Sequence, residues 1–149
     1  ATGMSREEAA GFIKRYYEVK PQLAEYIEKI KTQTRKQEYA ETLFGRRRPL
    51  PEINSNNHMI AQAAERMAVN VPIQGTQADI MKLAMIKLHP QLDAATKMLV
   101  QIHDQLILET DEKQGEAVAR KVKEVLEGAY DLGVPMVVET SIGKHWGEH

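Results

Sequence analysis

The sequence predicts an α+β fold, in which a short antiparallel β-sheet packs with several α-helices. The strand prediction depends mainly on residues 97–110, where apolar side chains alternate on either side of a two-residue turn. The helix prediction depends on apolar side chains that recur at helical spacing between prolines and glycines. The hydrophobic fraction of 42% and the charged fraction of 28% are ordinary for a globular domain.

Two short antiparallel helices are predicted at the start of the chain. Ser5 followed by Glu7 and Glu8 is typical of a helix start, because a capping side chain precedes acids in the first turn. Pro21 separates this helix from a second one. The apolar stripe of the second helix consists of Leu23, Tyr26, Ile27 and Ile30.

The middle of the chain alternates between extended and helical patterns. Residues 39–44 have strand-like composition, and two prolines exclude a regular helix from residues 46–51. Residues 53–68 are predicted to be helical, and Pro72 either starts a new helix or kinks a long one. Residues 73–88 are apolar on much of the helix circumference, which indicates burial on several sides.

The clearest strand signal surrounds the dipeptide His103-Asp104. Histidine and aspartate are among the non-glycine residues that best tolerate positive φ, so a two-residue hairpin turn is predicted here. Met98, Val100 and Ile102 are predicted to share one face of the first strand.

The last third of the chain contains a helical pattern followed by a strand pattern. Residues 112–130 form a predicted amphipathic helix that ends near Gly133. Residues 136–142 are predicted to form a third strand.

Charge and composition exclude several classes of protein. The net charge of -1 argues against a strongly basic nucleic-acid binder, yet residues 1–50 hold 11 Lys and Arg against 7 Asp and Glu. Any phosphate binding should therefore be local. No apolar run approaches a membrane span or a secretory signal, and the lack of cysteine fits a reducing cytoplasm. Because the chain starts at Ala1 and not at Met4, we expect a processed or cut N-terminus.

The turn aspartate, Asp104, is the first candidate for chemistry. A carboxylate at the tip of a hairpin can face a ligand, and Mg²⁺ prefers oxygen ligands of this kind. In most isolated His-Asp turns, however, the aspartate only forms the turn. Both interpretations stay open on the local pattern alone.

Arg66, Asn70 and Gln74 are the second candidate, because they are spaced four residues apart and would lie on one side of a helix. Their side chains can donate to the acceptors that every base pair shows in the minor groove. The alternative is helix capping by Asn70 and a solvated Gln74.

The run Arg46-Arg47-Arg48 is the third candidate. Guanidinium groups bind phosphate bidentately, although three arginines on a loop are also commonly solvated surface. The five histidines show no metal-ligand spacing with one another, and there is no Gly-rich phosphate loop.

Three strings, in this order, resemble bacterial DNA polymerase I, a family A DNA polymerase. They are residues 41–51 (ETLFGRRRPLP), 64–85 (AERMAVNVPIQGTQADIMKLAM) and 98–109 (MLVQIHDQLILE). The last residues, 142–149, resemble the C-terminus of that family, so the resemblance covers essentially the whole chain. It implies fingers-proximal helices over about residues 1–50 and the palm over about 51–149, with the motif C hairpin at residues 97–110.

The resemblance also implies residue roles in template-directed DNA synthesis. Asp104 matches the motif C aspartate, which holds two Mg²⁺ ions together with a motif A aspartate. His103 matches the histidine that approaches the primer end. The implied partners are primer–template DNA and deoxynucleoside triphosphates. The implied DNA-contacting residues are Arg48, Arg66, Asn70, Gln74 and His103.

Two departures from the family pattern limit these expectations. Gln105 stands where motif C normally has a glutamate, so one carboxylate beside the metals is replaced by a neutral amide. The motif A aspartate and the nucleotide-gripping fingers helix are absent from the 149 residues, so we expect this chain to be inactive alone. The alternatives are a non-catalytic DNA-binding module and, more remotely, an interaction domain. An exposed strand edge would favour self-association.

Overall fold

The computed structural model describes residues 3–148, apart from the side chain of Arg6. The chain divides into a first unit, residues 1–75, and a second unit, residues 76–149. The described helices are α1 (Arg6–Val19), α2 (Pro21–Gln37), α3 (His58–Asn70), α4 (Thr76–Leu88) and α5 (Gly115–Glu127). The described strands are β1 (Tyr39–Glu41), β2 (Arg47–Pro49), β3 (Lys97–Ile102) and β4 (Gln105–Glu109). The predicted α+β class is confirmed.

The two predicted N-terminal helices are confirmed, and a capping box starts the first. Ser5 Oγ accepts a hydrogen bond of 3.2 Å from Glu8 N, and Glu8 Oε2 accepts one of 2.7 Å from Ser5 N. The backbone and side chain of Ser5 lower the pKa of Glu8. Pro21 separates the two helices, as predicted, and is the first residue of α2; Glu38, which follows the last residue of α2, adopts a left-handed φ of 60°.

Strands β1 and β2 form an antiparallel hairpin in which Glu41 pairs with Arg47. The predicted strand over residues 39–44 is shorter in the structure. Gly45, with a φ of 79°, turns the chain because Gly45 N donates to Thr42 O and Thr42 N donates to Arg46 O.

The helix predicted from residue 53 starts later, because a 3-10 turn at Pro51–Asn54 intervenes and Asn57 caps α3. Asn57 Oδ1 accepts from Met59 N at 3.0 Å and from Ile60 N at 3.4 Å. The core of the first unit consists of Ala40, Leu50, Ile53, Ala64, Ala68 and Val71, with Ile30 and Met67 packed against it.

Pro72 neither simply starts a helix nor simply kinks one. Residues Val71–Gly75 form a π-helical turn between the end of α3 and the start of α4. Proline has no N–H to donate to the carbonyl four residues earlier, and its ring crowds that carbonyl, so the wider turn accommodates it.

In the second unit, β3, β4, α4 and α5 enclose one core. It consists of Ile80, Ala84, Leu88, Val122, Leu126 and Ala129. The predicted burial of residues 73–88 on several sides is wrong within this chain, because α4 buries the face of Ile80, Ala84 and Leu88 while Ile86 is 69% exposed. Helix α5 is shorter than residues 112–130, since a 3-10 turn precedes it and the helix ends before Gly128.

The predicted third strand over residues 136–142 is not formed. Val138 N donates to the Glu127 carboxylate at 3.0 Å and not to a neighbouring strand, while Met136 and Val138 still pack on the core. Apolar alternation therefore correctly indicated partial burial, but a strand also requires backbone pairing with a neighbouring strand, which these residues do not form. No helix in residues 3–148 is long and apolar enough to cross a membrane.

Candidate nucleic-acid interface

The turn between β3 and β4 is the predicted two-residue turn. Ile102 pairs with Gln105, which leaves only His103 and Asp104 outside the ladder, and His103 has a φ of 52°. Gln101 Nε2 donates a hydrogen bond of 2.8 Å to His103 O and so braces the turn. The side chains of His103 and Asp104 are both exposed. The fold therefore presents the Asp104 carboxylate to solvent at the tip of the hairpin.

Strand β3 contains a bulge at Leu99. Met98 pairs with Leu108, but Val100 pairs with Ile107, so Leu99 is the extra residue. The predicted common face of Met98, Val100 and Ile102 is therefore wrong, because an inserted residue reverses the side-chain alternation beyond it. Met98 packs on the core, whereas Val100 is 42% exposed.

Hydrogen bonds at the open end of the hairpin fix its base. Thr96 Oγ1 lies 2.8 Å from Thr110 Oγ1, and Asp93 Oδ1 accepts from Thr96 N at 2.8 Å and from Ala95 N at 3.1 Å. A hydrogen bond from the Thr96 side chain to Asp93, which is the largest cause, and those from the Thr96 and Ala95 backbones hold the pKa of Asp93 below its usual value. The hairpin is thus anchored at its base and on one face, while its tip is free.

The described residues do not by themselves make up a divalent-cation site. Among residues 3–148, no group of three histidine, cysteine, aspartate or glutamate side chains could hold a metal ion. Asp104 offers one carboxylate, and Gln105 beside it offers only a neutral amide. Mg²⁺ requires about six oxygen ligands in near-octahedral geometry, so further donors would have to come from outside these residues or from a bound phosphate.

Arg66, Asn70 and Gln74, which we call the polar row, are all exposed in the first unit. Arg66 and Asn70 lie one turn apart on α3, and Gln74 lies in the π-helical turn. Within the described part of the chain, these three side chains make no hydrogen bond or ion pair, so all of their donors face solvent. Asn70 does not cap a helix through its side chain, since that side chain makes no hydrogen bond in the described residues, while Gln74 is exposed as the alternative expected.

The acidic neighbour of the polar row is already neutralised. Glu65 forms ion pairs with Arg35 and, at 3.7 Å, with Lys31, both of which belong to α2. These pairs join α2 to α3 and leave the charge of Arg66 uncompensated. Sequence reasoning did not find Glu65, because its partners lie about thirty positions earlier and share no local pattern with it.

The three consecutive arginines have different environments. Arg46 Nη2 donates to Gly75 O at 3.0 Å. Arg47 Nε donates to Glu41 Oε2 at 2.6 Å, which raises the pKa of Arg47, and the Arg47 guanidinium stacks 4.5 Å from the Tyr39 ring centre. Arg46 and Arg47, although adjacent in sequence, thus bind different partners, Gly75 and Glu41.

Arg48 differs from its two neighbours because its guanidinium has no carboxylate partner in the described residues. Its polar contact is a weak hydrogen bond of 3.3 Å to Met67 Sδ, beside Arg66 in sequence. The exposed Arg48 guanidinium therefore keeps a charge that no carboxylate of the described residues pairs.

The architecture matches that of a polymerase domain. The chain superimposes with a TM-score of 0.81 on the solved structure described as the POL domain of Pol1 from M. smegmatis in complex with DNA primer-template and dNTP. The two sequences are 38% identical, and the match covers 89% of this chain and 24% of that chain.

Residues 1–148 match the family described as DNA polymerase family A, and the chain belongs to that family. It is 50% identical over 141 residues to the thermostable DNA polymerase I of Thermus aquaticus, covering 94% of this chain and 17% of that protein. It is 42% identical over 149 residues to DNA polymerase I of Pseudomonas aeruginosa, covering 98% of this chain and 16% of that protein. The chain therefore spans about a sixth of the length of these relatives.

Proposed function

We propose that this chain is part of a DNA-directed DNA polymerase that performs template-directed nucleotidyl transfer. The observation that carries the proposal is the exposed Asp104 carboxylate, held at the tip of a hairpin that is fixed at its base, in a member of DNA polymerase family A. In this proposal Asp104 contributes one carboxylate to a Mg²⁺ site, His103 lies next to the primer end, and the other metal donors come from outside the described residues.

The polar row and Arg48 are proposed to contact primer–template DNA. Their exposed donors match the minor-groove acceptors, which all base pairs share, and the phosphate oxygens. Contacts of this kind depend on the shape of the duplex and not on its sequence, as copying an arbitrary template requires. The positive charge of Arg66 and Arg48 has no acidic partner among the described residues, which favours attraction of the phosphate backbone.

The chain alone is proposed to be inactive as a polymerase and to bind divalent cations weakly. A single carboxylate at a solvent-exposed turn gives little affinity for Mg²⁺, which dehydrates reluctantly. Extension of a primer by the purified 149-residue chain, in the presence of Mg²⁺ and deoxynucleoside triphosphates, would contradict this part of the proposal.

A chimera tests the polymerase proposal directly. This chain would replace the matching 141-residue segment of the Thermus aquaticus DNA polymerase I. We expect the chimera to extend a primed template and Asp104→Asn to slow extension about a thousandfold, because a metal ligand contributes several kcal/mol to the transition state. Glu116→Gln, which neutralises an exposed acid in the first turn of α5, is the matched control. A chimera that melts cooperatively but does not extend primers would overturn the proposal.

The second candidate function is a non-catalytic DNA-binding module on the same scaffold. The observation in its favour is Gln105, an amide beside the turn where the family resemblance leads us to expect a carboxylate. This alternative predicts that the chimera binds primed duplex normally but extends it only after Gln105→Glu. Extension by the chimera with Gln105 in place would exclude it.

A further inference from the structure

We propose that Gly75 is a positioning residue for the polar row, and that its missing side chain lets the β1–β2 turn hold Gln74 in place. This inference rests on the proposed DNA contacts of Arg66, Asn70 and Gln74. The geometry that carries it is the close approach of residues 42–46 to Gly75, both within the first unit.

The β1–β2 turn is a closed unit of hydrogen bonds. Thr42 N donates to Arg46 O at 2.9 Å, Gly45 N donates to Thr42 O at 3.0 Å, and Arg46 N donates to Thr42 Oγ1 at 3.2 Å. Thr42 is also buried, with 5% of its surface exposed. The turn therefore resists displacement and offers a fixed surface to whatever packs against it.

Gly75 packs directly on that surface. A Cβ atom at Gly75 would lie 2.6 Å from Thr42 Cγ2 and 3.4 Å from Arg46 Nη2. The same Arg46 nitrogen donates a hydrogen bond of 3.0 Å to Gly75 O. The backbone at Gly75 is thus both drawn toward the turn and too close to it for any side chain.

The π-helical turn needs this external support. Pro72 removes one backbone donor from Val71–Gly75, so regular helical hydrogen bonding does not fix the segment fully. Gln74 immediately precedes Gly75, so the position of its backbone follows the contact between Gly75 and the β1–β2 turn. An alanine at position 75 would have to move away from Thr42 and would carry Gln74 with it.

The test uses the 149-residue chain and a fluorescent primed duplex, with the dissociation constant measured by anisotropy and the melting temperature measured in parallel. We expect Gly75→Ala to weaken binding about tenfold, because the added Cβ collides with Thr42 Cγ2 and displaces Gln74 from the duplex. Gly11→Ala is the matched control, because a Cβ there meets no atom within 4 Å. It should bind as the wild type does.

A second substitution separates positioning from general damage. Thr42→Ser removes Cγ2 but keeps the hydroxyl that accepts from Arg46 N. In Gly75→Ala combined with Thr42→Ser, the new Cβ atom keeps only ordinary contacts, at 3.4 Å from Arg46 Nη2 and 3.8 Å from the Cβ of residue 42. We therefore expect the double variant to recover binding to within about twofold of the wild type.

Thr42→Val provides a readout if Gly75→Ala does not fold. It keeps the shape of the side chain and the charge of the protein but removes the acceptor for Arg46 N, so binding should weaken about fivefold. Normal binding by Thr42→Val, or by a folded Gly75→Ala, would overturn the positioning role of Gly75. Failure of Thr42→Ser to restore binding in the Gly75→Ala background would overturn it as well. If the wild-type chain does not bind primed duplex, or Arg66→Ala does not weaken its binding, the proposed DNA contacts themselves fail.

Discussion

The hydroxyl groups of Thr96 and Thr110 lie 2.8 Å apart at the open end of the β3–β4 hairpin, and Asp104 lies at its closed end. Thr96 is buried, with 6% of its surface exposed, and Thr110 Oγ1 also lies 3.4 Å from Gln114 Oε1. This link joins the hairpin base to the turn that precedes α5. The position of Asp104 therefore depends on side chains at the opposite end of the hairpin.

Replacing Thr110 by valine should lower the free energy of unfolding by about 1 kcal/mol, because the hydrogen bond between the Thr96 and Thr110 hydroxyls is lost. Urea denaturation followed by far-UV circular dichroism measures the change. Thr110→Ser keeps the hydroxyl and is the control. Equal stability of the valine and serine variants would show that the hydrogen bond does not stabilise the hairpin base.

Asp93 should contribute a pH-dependent part of the stability. Its pKa in the folded chain lies below the ordinary value of 3.8, chiefly because the Thr96 side chain donates to it. The contribution is therefore present above the unfolded pKa and is lost as the pH falls through the lower folded pKa. In urea melts, the difference in unfolding free energy between the wild type and Asp93→Asn should stay constant from about pH 7 to 5. It should shrink below about pH 4, as Asp93 becomes protonated in the folded chain. A difference independent of pH would contradict the assignment.

Helix α4 provides a matched pair of core and surface residues. Leu88 is fully buried, whereas Ile86 is 69% exposed. Leu88→Ala should cost about 3 kcal/mol through lost burial and a cavity, and Ile86→Ala should change the free energy of unfolding by about 0.5 kcal/mol or less. Urea denaturation checks both values. Similar losses in the two variants would mean that Ile86 is covered in solution.

Arg48 should account for one phosphate contact in the binding of primed duplex. We expect Arg48→Gln to reduce the slope of log binding constant against log salt concentration by about 0.9. Arg15→Gln makes the same change on the exposed surface of α1 and should leave the slope unaltered. Fluorescence anisotropy over a salt series gives both slopes. An unchanged slope for Arg48→Gln would remove this residue from the interface.

The chain should self-associate at high concentration, as the sequence predicted. In the described residues, β3 and β4 pair only with each other, so the other edge of each strand has no paired strand. Leu99 on β3 is 55% exposed and adds an apolar side chain to one of these strands. Leu99→Lys should reduce association, whereas Ile86→Lys, on the exposed face of α4, should not reduce it to the same extent. Light scattering over a concentration series measures the molar mass. A monomer at every concentration would refute the prediction.

Local sequence was sufficient for features that depend on near neighbours in the chain. The turn at His103-Asp104 was predictable because two residue types that tolerate positive φ separate two apolar runs. The two N-terminal helices were predictable because each start depends on local residues. Ser5 and Glu8 form the capping box of α1, and Pro21 is the first residue of α2. The third-strand prediction was wrong because apolar alternation reports burial, while strand formation depends on a distant partner.

The sequence by itself thus determined the family, the α+β class and the position of Asp104 at a hairpin tip. Only the tertiary structure decided that Arg48 is the arginine of the run proposed to bind phosphate. Arg47 is paired with Glu41 across a hairpin, and Arg46 is bound to Gly75, 29 residues away. It also decided the bulge at Leu99 and the close contact at Gly75. Pairing, packing and close approach join residues far apart in the chain, and no local pattern records which ones will meet.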